Sequence, residues 1–307
     1  MALLSAFTDA ILPVLAVAGV GYVVGRVRDV DARTLSTVIL YVLVPALVFH
    51  SVATMEFTGT TAAKIVGSAV VLSVAMWLLS EGVAVASGLE GDERNGFVLT
   101  GTFSNTANYG IPLSTFAFPA VGKTTAVLYT LGFTLAVYTL GVAVAARGDV
   151  GPRDAVRRVF RLPIVYAVVA GALYAALDVS APASTMDTIR LVGDSSIPLM
   201  LLLLGVQVAR STPGGQLADL ARVNALKLLV APAVAVPVVW LLGFDDPDVG
   251  RVVVLETAMP SAVSALMLAV EFDGDADFVS GAIVSSTLIS PFVLTPLIVV
   301  LRSGVVI

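Results

Sequence analysis

The sequence predicts an all-α membrane protein with ten transmembrane helices, arranged as two inverted repeats of five helices each. Of its 307 residues, 58% are hydrophobic and 13% are charged, about half the charged fraction of a soluble domain. Apolar stretches of roughly 18–25 residues, the length that crosses a bilayer, recur along the whole chain. Three prolines of the first half also have counterparts in the second half at a nearly constant separation.

Ten apolar spans follow one another from the N-terminus to the C-terminus. They cover residues 4–25, 34–53, 62–87, 96–120, 124–146, 161–178, 186–209, 218–242, 250–271 and 278–301. The first ten residues contain Asp9 but no Lys or Arg, so span one lacks the basic start of a signal peptide and is expected to remain as a helix. The longest polar segment, 147–160, is predicted to be a cytoplasmic linker between a first repeat, 1–146, and a second repeat, 161–307.

The distribution of basic residues predicts the orientation in the membrane, because loops rich in Lys and Arg stay in the cytoplasm. One set of alternate loops holds eleven of them: Arg26, Arg28, Arg33, Arg94, Arg147, Arg153, Arg157, Arg158, Arg161, Arg210 and Arg222. The opposite set holds five: Lys64, Lys123, Arg190, Arg251 and Arg302. We therefore expect a multi-pass protein of the cell membrane with both termini outside. The acidic, Lys-poor loops also suggest a halophilic source.

The repeat is indicated by proline positions. The pairs are Pro13 with Pro163, Pro45 with Pro198, and Pro112 with Pro260, separated by 150, 153 and 148 residues. Each half contains an odd number of spans, so the two halves must insert with opposite topology. Inverted repeats with corresponding broken helices are typical of secondary transporters that bind substrate near the membrane midplane.

Two spans contain residues that interrupt a helix. Span four carries Asn105, Asn108, Gly110 and Pro112, and span nine carries Pro260. Glycine adds backbone freedom, whereas proline removes an N–H group and clashes with the preceding turn. Within a bilayer, the freed backbone groups must be satisfied by protein or by a water-filled cavity. Broken helices at this depth therefore predict a binding site.

Four segments resemble the auxin efflux carrier family. They are Leu35–Phe49, Asn108–Leu113 (Asn-Tyr-Gly-Ile-Pro-Leu), Ile197–Gly205 and Ala258–Leu266, and they occur in the family's order over nearly the whole chain. The resemblance implies that spans four and nine cross as an X and that the protein carries small organic anions such as malate- or malonate-like acids. It also implies a scaffold of spans one, two, six and seven that forms a homodimer, beside a moving unit made of the other spans.

The predicted anion site is built from the two breaks. Half-helices that begin near Pro112 and Pro260 offer N–H groups and positive dipole ends to a carboxylate. Asn105 and Asn108 add amide donors, and Gly110 completes the break. Ser261 and Ser264 lie at the start of the second half-helix. The alternative is that the asparagines only satisfy loosened backbone.

Three ionisable residues are candidates for coupling transport to Na⁺ or H⁺. Glu256 lies one turn before Pro260, and an acid within a span is costly enough to suggest a function. In the distantly similar bile-acid sodium symporters an acid at this place serves sodium binding; the alternative is a structural carboxylate. Glu81 and Lys227 have similar depths in spans three and eight and are expected to form an ion pair that replaces a cation, unless each side chain extends separately to the interface.

The composition argues against enzymatic function. Cysteine is absent, one histidine is present, and no phosphate-binding loop or Ser-His-Asp set occurs, so we expect no cofactor and no metal centre. The expected partners are a small carboxylate, membrane lipid and a second copy of the chain, with no nucleic acid. Two alternatives to an organic-anion transporter stay open: a sodium-coupled symporter of the bile-acid type, and a receptor that binds a carboxylate without moving it.

Overall fold

The computed structural model describes residues 2–145, 157, 160–177, 181–211 and 214–307. The regular structure of these residues is helical, apart from a single antiparallel bridge between Ser104 and Ser261. The predicted linker at 147–160 lies outside the described residues except for positions 157 and 160, and so do Arg147, Arg153 and Arg158 of the basic set. The division into two repeats at this linker stays a prediction.

The described chain folds into twelve helical segments. The first six are α1 (Ala2–Val27), α2 (Ala32–Ala53), α3 (Gly59–Ala86), α4 (Gly91–Thr102), α5 (a π-turn, Thr106–Gly110, continuing into Ile111–Ala117) and α6 (Gly122–Ala145). The others are α7 (Pro163–Ala176), α8 (Ala183–Arg210), α9 (Leu217–Leu242), α10 (Pro247–Thr257), α11 (Val263–Glu271) and α12 (Ala276–Arg302). Seven of them, α1, α2, α3, α6, α8, α9 and α12, are long and apolar enough to cross a membrane. The chain is a multi-pass membrane protein.

Prolines explain most of the local widening of these helices. Four π-turns each end two residues before a proline: Phe7–Ile11 before Pro13, Ile39–Leu43 before Pro45, Thr106–Gly110 before Pro112, and Leu226–Val230 before Pro232. A proline cannot donate to the carbonyl one turn back, and its ring would clash there, so a wider turn relieves both problems. The π-turn in α6, Val137–Gly141, has no such proline.

Helices α1, α2, α7 and α8 pack against one another as one group, with α1 on α8 and α2 on α7. The α1–α8 contact is close because it is made at glycines. A β-carbon added to Gly205 would lie 1.9 Å from the Ala18 carbonyl oxygen, and one added to Gly21 would lie 2.2 Å from that of Leu202. Small residues that let backbones approach are typical of helix contacts in membranes.

The remaining helices form a second group that contains both short, interrupted pairs. Helix α3 packs on α6 and α4, α9 packs on α10, and α12 packs on α4. A β-carbon at Gly132 of α6 would lie 2.2 Å from the Val66 carbonyl oxygen of α3. An ion pair joins the two groups: the Lys123 ammonium at the start of α6 lies 2.9 Å from the Asp194 carboxylate of α8.

Candidate functional site

The first interruption separates α4 from α5. Helix α4 ends at Thr102, and Phe103 is extended, with φ −94° and ψ 124°. Asn105 has φ −77° and ψ 63°, outside the helical region, before the chain turns into Thr106–Gly110. The Gly110 N–H donates to the Asn105 carbonyl oxygen at 2.9 Å. This π-turn restarts the helix and widens it ahead of Pro112, which has no N–H to donate to the preceding turn.

The second interruption separates α10 from α11. Helix α10 ends at Thr257, and α11 begins at Val263 after Ala262, which is extended with φ −77° and ψ 141°. Pro260 lies between them and disfavours a helical conformation for Met259. The five residues 258–262 therefore leave the helix and run through the buried centre of the second group.

The two interruptions cross and satisfy each other's backbone. The Asn105 N–H donates to the Pro260 carbonyl at 2.7 Å, and the Ala262 N–H donates to the Phe103 carbonyl at 2.9 Å. The Ser104 hydroxyl donates to the Thr257 carbonyl at 3.1 Å, and the Ser261 hydroxyl donates to the Thr100 carbonyl at 3.0 Å. Each broken helix thus supplies the partners that the other lost, as backbone inside a membrane requires. We call this region, residues 103–105 and 258–262, the crossing.

Both half-helices start at the crossing, but not where the sequence suggested. The prediction placed their first residues near Pro112 and Pro260; the structure places them at Thr106 and Val263, each two residues after a bridge residue. For α5 the reason is the π-turn, which restarts the helix ahead of the proline. For α11 the reason is the extended strand-like segment, which carries the chain past Pro260 before the helix can form.

The predicted polar residues take different positions at the crossing. Asn108 and Ser264 lie in the first turns of α5 and α11, and both are half-buried. Asn105 is buried, and its side-chain nitrogen has no hydrogen-bond partner among the described residues. Ser261 is fully buried, with its hydroxyl bound to Thr100 and its N–H bound to the Ser286 hydroxyl at 3.0 Å. Asn105, Asn108 and Ser264 are therefore the side chains with polar groups to offer.

Glu256 lies beside the crossing in the last turn of α10 and is fully buried. One carboxylate oxygen accepts a hydrogen bond from the Ser114 hydroxyl at 2.7 Å, and the other has no partner among the described residues. The carboxylate also lies against Gly110, where an added β-carbon would be 2.2 Å from Glu256 Oε2. Glycine at position 110 therefore makes room for the carboxylate, and this contact ties α5 to α10.

Sequence reasoning missed several polar contacts that α5 and α10 make. Ser114 lies four residues after Gly110, on the same face of α5, and this spacing was the signal that could have identified it. The Tyr129 hydroxyl lies 3.0 Å from the Thr257 hydroxyl, and the Ser290 hydroxyl donates to Tyr109 at 3.0 Å. No local pattern predicts these bonds, because their members come from distant helices.

The predicted ion pair between Glu81 and Lys227 is wrong. Glu81 pairs with Arg94, which lies at the start of α4 beside the end of α3, and both side chains are partly exposed. Lys227 is fully buried, and its ammonium donates to the Thr102 carbonyl at 3.2 Å. Equal depth did not bring the two residues together, because Lys227 points from the π-turn of α9 toward the crossing.

Acidic side chains do not cluster around the crossing. Among the described residues, no three His, Cys, Asp or Glu side chains lie close enough to hold a metal ion. Within that part of the chain, Glu256 is the buried carboxylate without an Arg or Lys partner, whereas buried Asp219 pairs with Arg222. Any cation bound at the crossing would therefore rely on Glu256 together with hydroxyl and carbonyl oxygens.

Comparison with known proteins finds a family model and several proteins named as transporters. A family model described as "Membrane transport protein" matches residues 6–145 and 153–298. An uncharacterized transporter of Methanothermobacter thermautotrophicus is 29% identical over 292 residues, covering 92% of this chain and 94% of its own. A Rhizobium meliloti protein provisionally named a malonate transporter is 25% identical over 319 residues, covering 97% and 96%. An uncharacterized transporter of Methanocaldococcus jannaschii is 22% identical, covering 93% and 96%. The chain therefore belongs to the membrane transport protein family, the auxin efflux carrier family that its motifs resemble.

Proposed function

We propose that the protein is a secondary transporter of small organic anions that works by alternating access. The observation that carries the proposal is the crossing, where α5 and α11 both begin within two residues of the bridge between Ser104 and Ser261. The first N–H groups of a helix have no partner within that helix, and the helix dipole adds about half a positive charge there. Two such ends favour a carboxylate without any Arg or Lys.

Side chains at these two ends supply specific donors. Asn108 in the first turn of α5 is half-buried, and its amide makes no hydrogen bond to the described residues, so it remains available to a ligand. The buried amide nitrogen of Asn105 also has no partner in the part of the chain that the structure describes, which costs free energy unless a ligand or water satisfies it. Ser264 offers a hydroxyl from α11. We assign Asn108 as the main carboxylate ligand, with Asn105 and Ser264 beside it.

The arrangement of helices favours ten spans. Helices α4 and α5 count as one interrupted span, and α10 and α11 count as another. Together with α7 and the seven long helices, they give ten spans. On this reading the group of α1, α2, α7 and α8 is the scaffold and the group containing the crossing moves against it. Five spans per half require opposite insertion, which is the inverted repeat of known transporters. We further propose that both termini lie outside the cell and that the scaffolds of two copies associate.

The substrate class follows from the chemistry of the site and from one relative. Helix N-termini and amides recognise a carboxylate group, and the Rhizobium meliloti relative is provisionally named for malonate. We therefore propose short mono- and dicarboxylic acids as substrates, with malonate first among those to be tested.

A thermal-shift screen of purified protein in detergent tests the binding half of this proposal. A ligand that binds only the folded protein stabilises it by RT ln(1 + [L]/Kd), about 2.7 kcal/mol at a hundred times Kd. Malonate, malate, succinate and acetate are compared as sodium salts and as choline salts, and glycerol is compared in sodium chloride and in choline chloride. We expect at least one carboxylate, but not glycerol, to raise the Tm. A rise in Tm with glycerol equal to that with the acids contradicts the anion site, and so does the absence of a rise with every acid.

One observation favours sodium coupling as a second candidate. Glu256 has a buried carboxylate oxygen without a partner among the described residues, next to the non-helical backbone of the crossing, whose carbonyl groups are the kind of oxygen ligand that a small cation takes. Stabilisation by a carboxylate that occurs with sodium but not with choline supports this candidate. The same stabilisation with both counterions supports a proton, or no coupling ion at all.

A further inference from the structure

Lys227 is buried at the crossing, and no carboxylate of the described residues pairs with it. Its side chain is fully inaccessible, and its ammonium donates to the Thr102 carbonyl oxygen at 3.2 Å. It forms no ion pair with any described residue, since Glu81 pairs with Arg94 and Glu256 binds Ser114. A lysine inside a membrane protein is expensive unless something compensates its charge.

The compensation available to Lys227 is the end of a helix. Thr102 is the last residue of α4, and its carbonyl belongs to the set that a helix leaves unpaired at its C-terminus. The dipole of the helix concentrates about half a negative charge at that end. Lys227 lies in the π-turn Leu226–Val230 of α9, and its ammonium contacts the C-terminal end of α4. Because Lys227 is fully buried, bulk water does not screen the attraction between the ammonium and the partial negative charge of the helix end.

The corresponding end of α10 is built differently. Its last carbonyl, that of Thr257, accepts from the neutral Ser104 hydroxyl, and the same turn carries the Glu256 carboxylate. The end of α10 therefore concentrates negative charge, whereas the end of α4 already has a positive group. The two otherwise similar helix ends at the crossing thus differ by one fixed cation.

We propose that Lys227 is a fixed cation built into the crossing, which occupies the place of a small monovalent ion at the end of α4. One cation site of the crossing is then permanently filled, and among the described residues Glu256 at the end of α10 is the unpaired buried carboxylate left for an exchangeable Na⁺ or H⁺. This inference deepens the proposed function by limiting the coupling to one ion per cycle. The role of Lys227 is positioning: its charge holds α4 and α9 together, whatever the substrate.

Replacing the lysine tests the idea without any substrate. Lys227→Ala removes the ammonium and leaves a cavity at the helix end, so the Tm of the purified protein should fall by at least about 5 °C. Methylammonium chloride should restore much of that loss by entering the cavity. Choline chloride at equal concentration should not, because choline is too large for the space that a lysine side chain leaves.

Lys64→Ala is the matched control. The Lys64 ammonium also donates to a carbonyl at the end of a helix, that of Gly243 after α9, at 2.6 Å, but Lys64 is only half-buried. Its replacement should lower the Tm by less, and methylammonium should act on this variant as weakly as on the wild type. An equal methylammonium effect on all three proteins would mean general salt stabilisation and would overturn the proposal.

Lys227→Gln separates charge from hydrogen bonding and serves if the alanine variant does not fold. Glutamine can still donate to the Thr102 carbonyl but carries no charge, so we expect its Tm also to fall by at least about 5 °C. A glutamine variant as stable as the wild type would show that a hydrogen bond suffices and would overturn the fixed cation. Because these readouts need no carboxylate, they stay valid even if the anion site is placed wrongly.

Discussion

The main chains of Ser104 and Ser261 pair as a single antiparallel bridge, and the hydroxyl of each serine caps a carbonyl at the end of the other broken helix. This reciprocal arrangement holds the ends of four half-helices at one buried point. It also fixes the directions of the first turns of α5 and α11, where the proposed carboxylate ligands lie. The crossing is therefore at once a structural joint and the frame of the candidate site.

Replacing Asn108 by alanine should weaken carboxylate binding by about 1–3 kcal/mol, the usual effect of losing a hydrogen bond to a charged group. The Tm without ligand should hardly change, because the Asn108 amide makes no hydrogen bond to the described residues. Calorimetric titration of a carboxylate identified in the thermal screen measures the effect. Asn95→Ala, at a half-buried asparagine in the second turn of α4, is the control and should keep wild-type affinity. Equal affinity in the Asn108 variant would remove this residue from the site.

Replacing Gly110 by alanine should destabilise the protein by about 1–3 kcal/mol, the range for overpacking a filled interior. The added methyl group would lie 2.2 Å from Glu256 Oε2, so the carboxylate must move. Thermal unfolding measures the loss. Gly67→Ala in α3, where nothing lies within 4 Å of the added carbon, is the matched control.

The same contact allows a double-mutant test. Glu256→Ala removes the side chain that the methyl group strikes, so Gly110→Ala should destabilise the Glu256→Ala background much less than the wild type. Additive effects of the two changes would show that Gly110 and Glu256 do not meet.

Replacing Glu256 by glutamine should keep carboxylate binding but abolish the dependence of transport on an ion gradient. Glutamine can still accept from the Ser114 hydroxyl, yet it cannot bind a proton or attract a cation as a carboxylate does. Removing one charge from the moving unit also changes its electrical work by about 2.3 kcal/mol per 100 mV, if that charge crosses the whole membrane. Uptake into liposomes with imposed gradients and voltages measures both effects. Glu56→Gln, in an exposed loop, is the control. Unchanged gradient dependence would exclude Glu256 from coupling.

Replacing Glu81 by glutamine should leave both transport and stability close to wild type. Its partner is Arg94, both side chains are partly exposed, and such pairs contribute about 0–1 kcal/mol. Lys227→Ala should be far more damaging in the same assays. Comparable losses of transport and stability in the two variants would instead support an ion pair between Glu81 and Lys227.

The sequence predicted the positions of the breaks better than their contacts. Gly110, Pro112 and Pro260 disturb a helix through their own backbone, so the interruptions could be inferred locally. The π-turn that starts α5 at Thr106 could not, since it depends on how the chain relieves the strain of Pro112. The spacing of the prolines still predicts an inverted repeat, although Pro163 begins α7 whereas Pro13 lies inside α1.

The side-chain contacts of the candidate site were harder to predict from the sequence than its helix breaks. Glu81 and Lys227 have similar depths in their spans, which suggested that they form an ion pair. Depth does not determine the rotation of a helix about its axis, however, and the structure gives the two residues different partners. The bond between Ser114 and Glu256 joins α5 to α10 and depends on the crossing itself. Only the packed arrangement of the second helix group reveals such contacts.

Counterflow of radiolabelled malonate in proteoliposomes tests the central claim most directly. Vesicles preloaded with unlabelled malonate should accumulate label transiently above its equilibrium level, because an alternating-access carrier exchanges internal for external substrate. Asn108→Ala should slow this accumulation, and vesicles containing Asn95→Ala should behave as wild type. If no carboxylate of the panel shows counterflow above protein-free vesicles, while the thermal screen still detects binding, the protein is a receptor and the transport account is wrong.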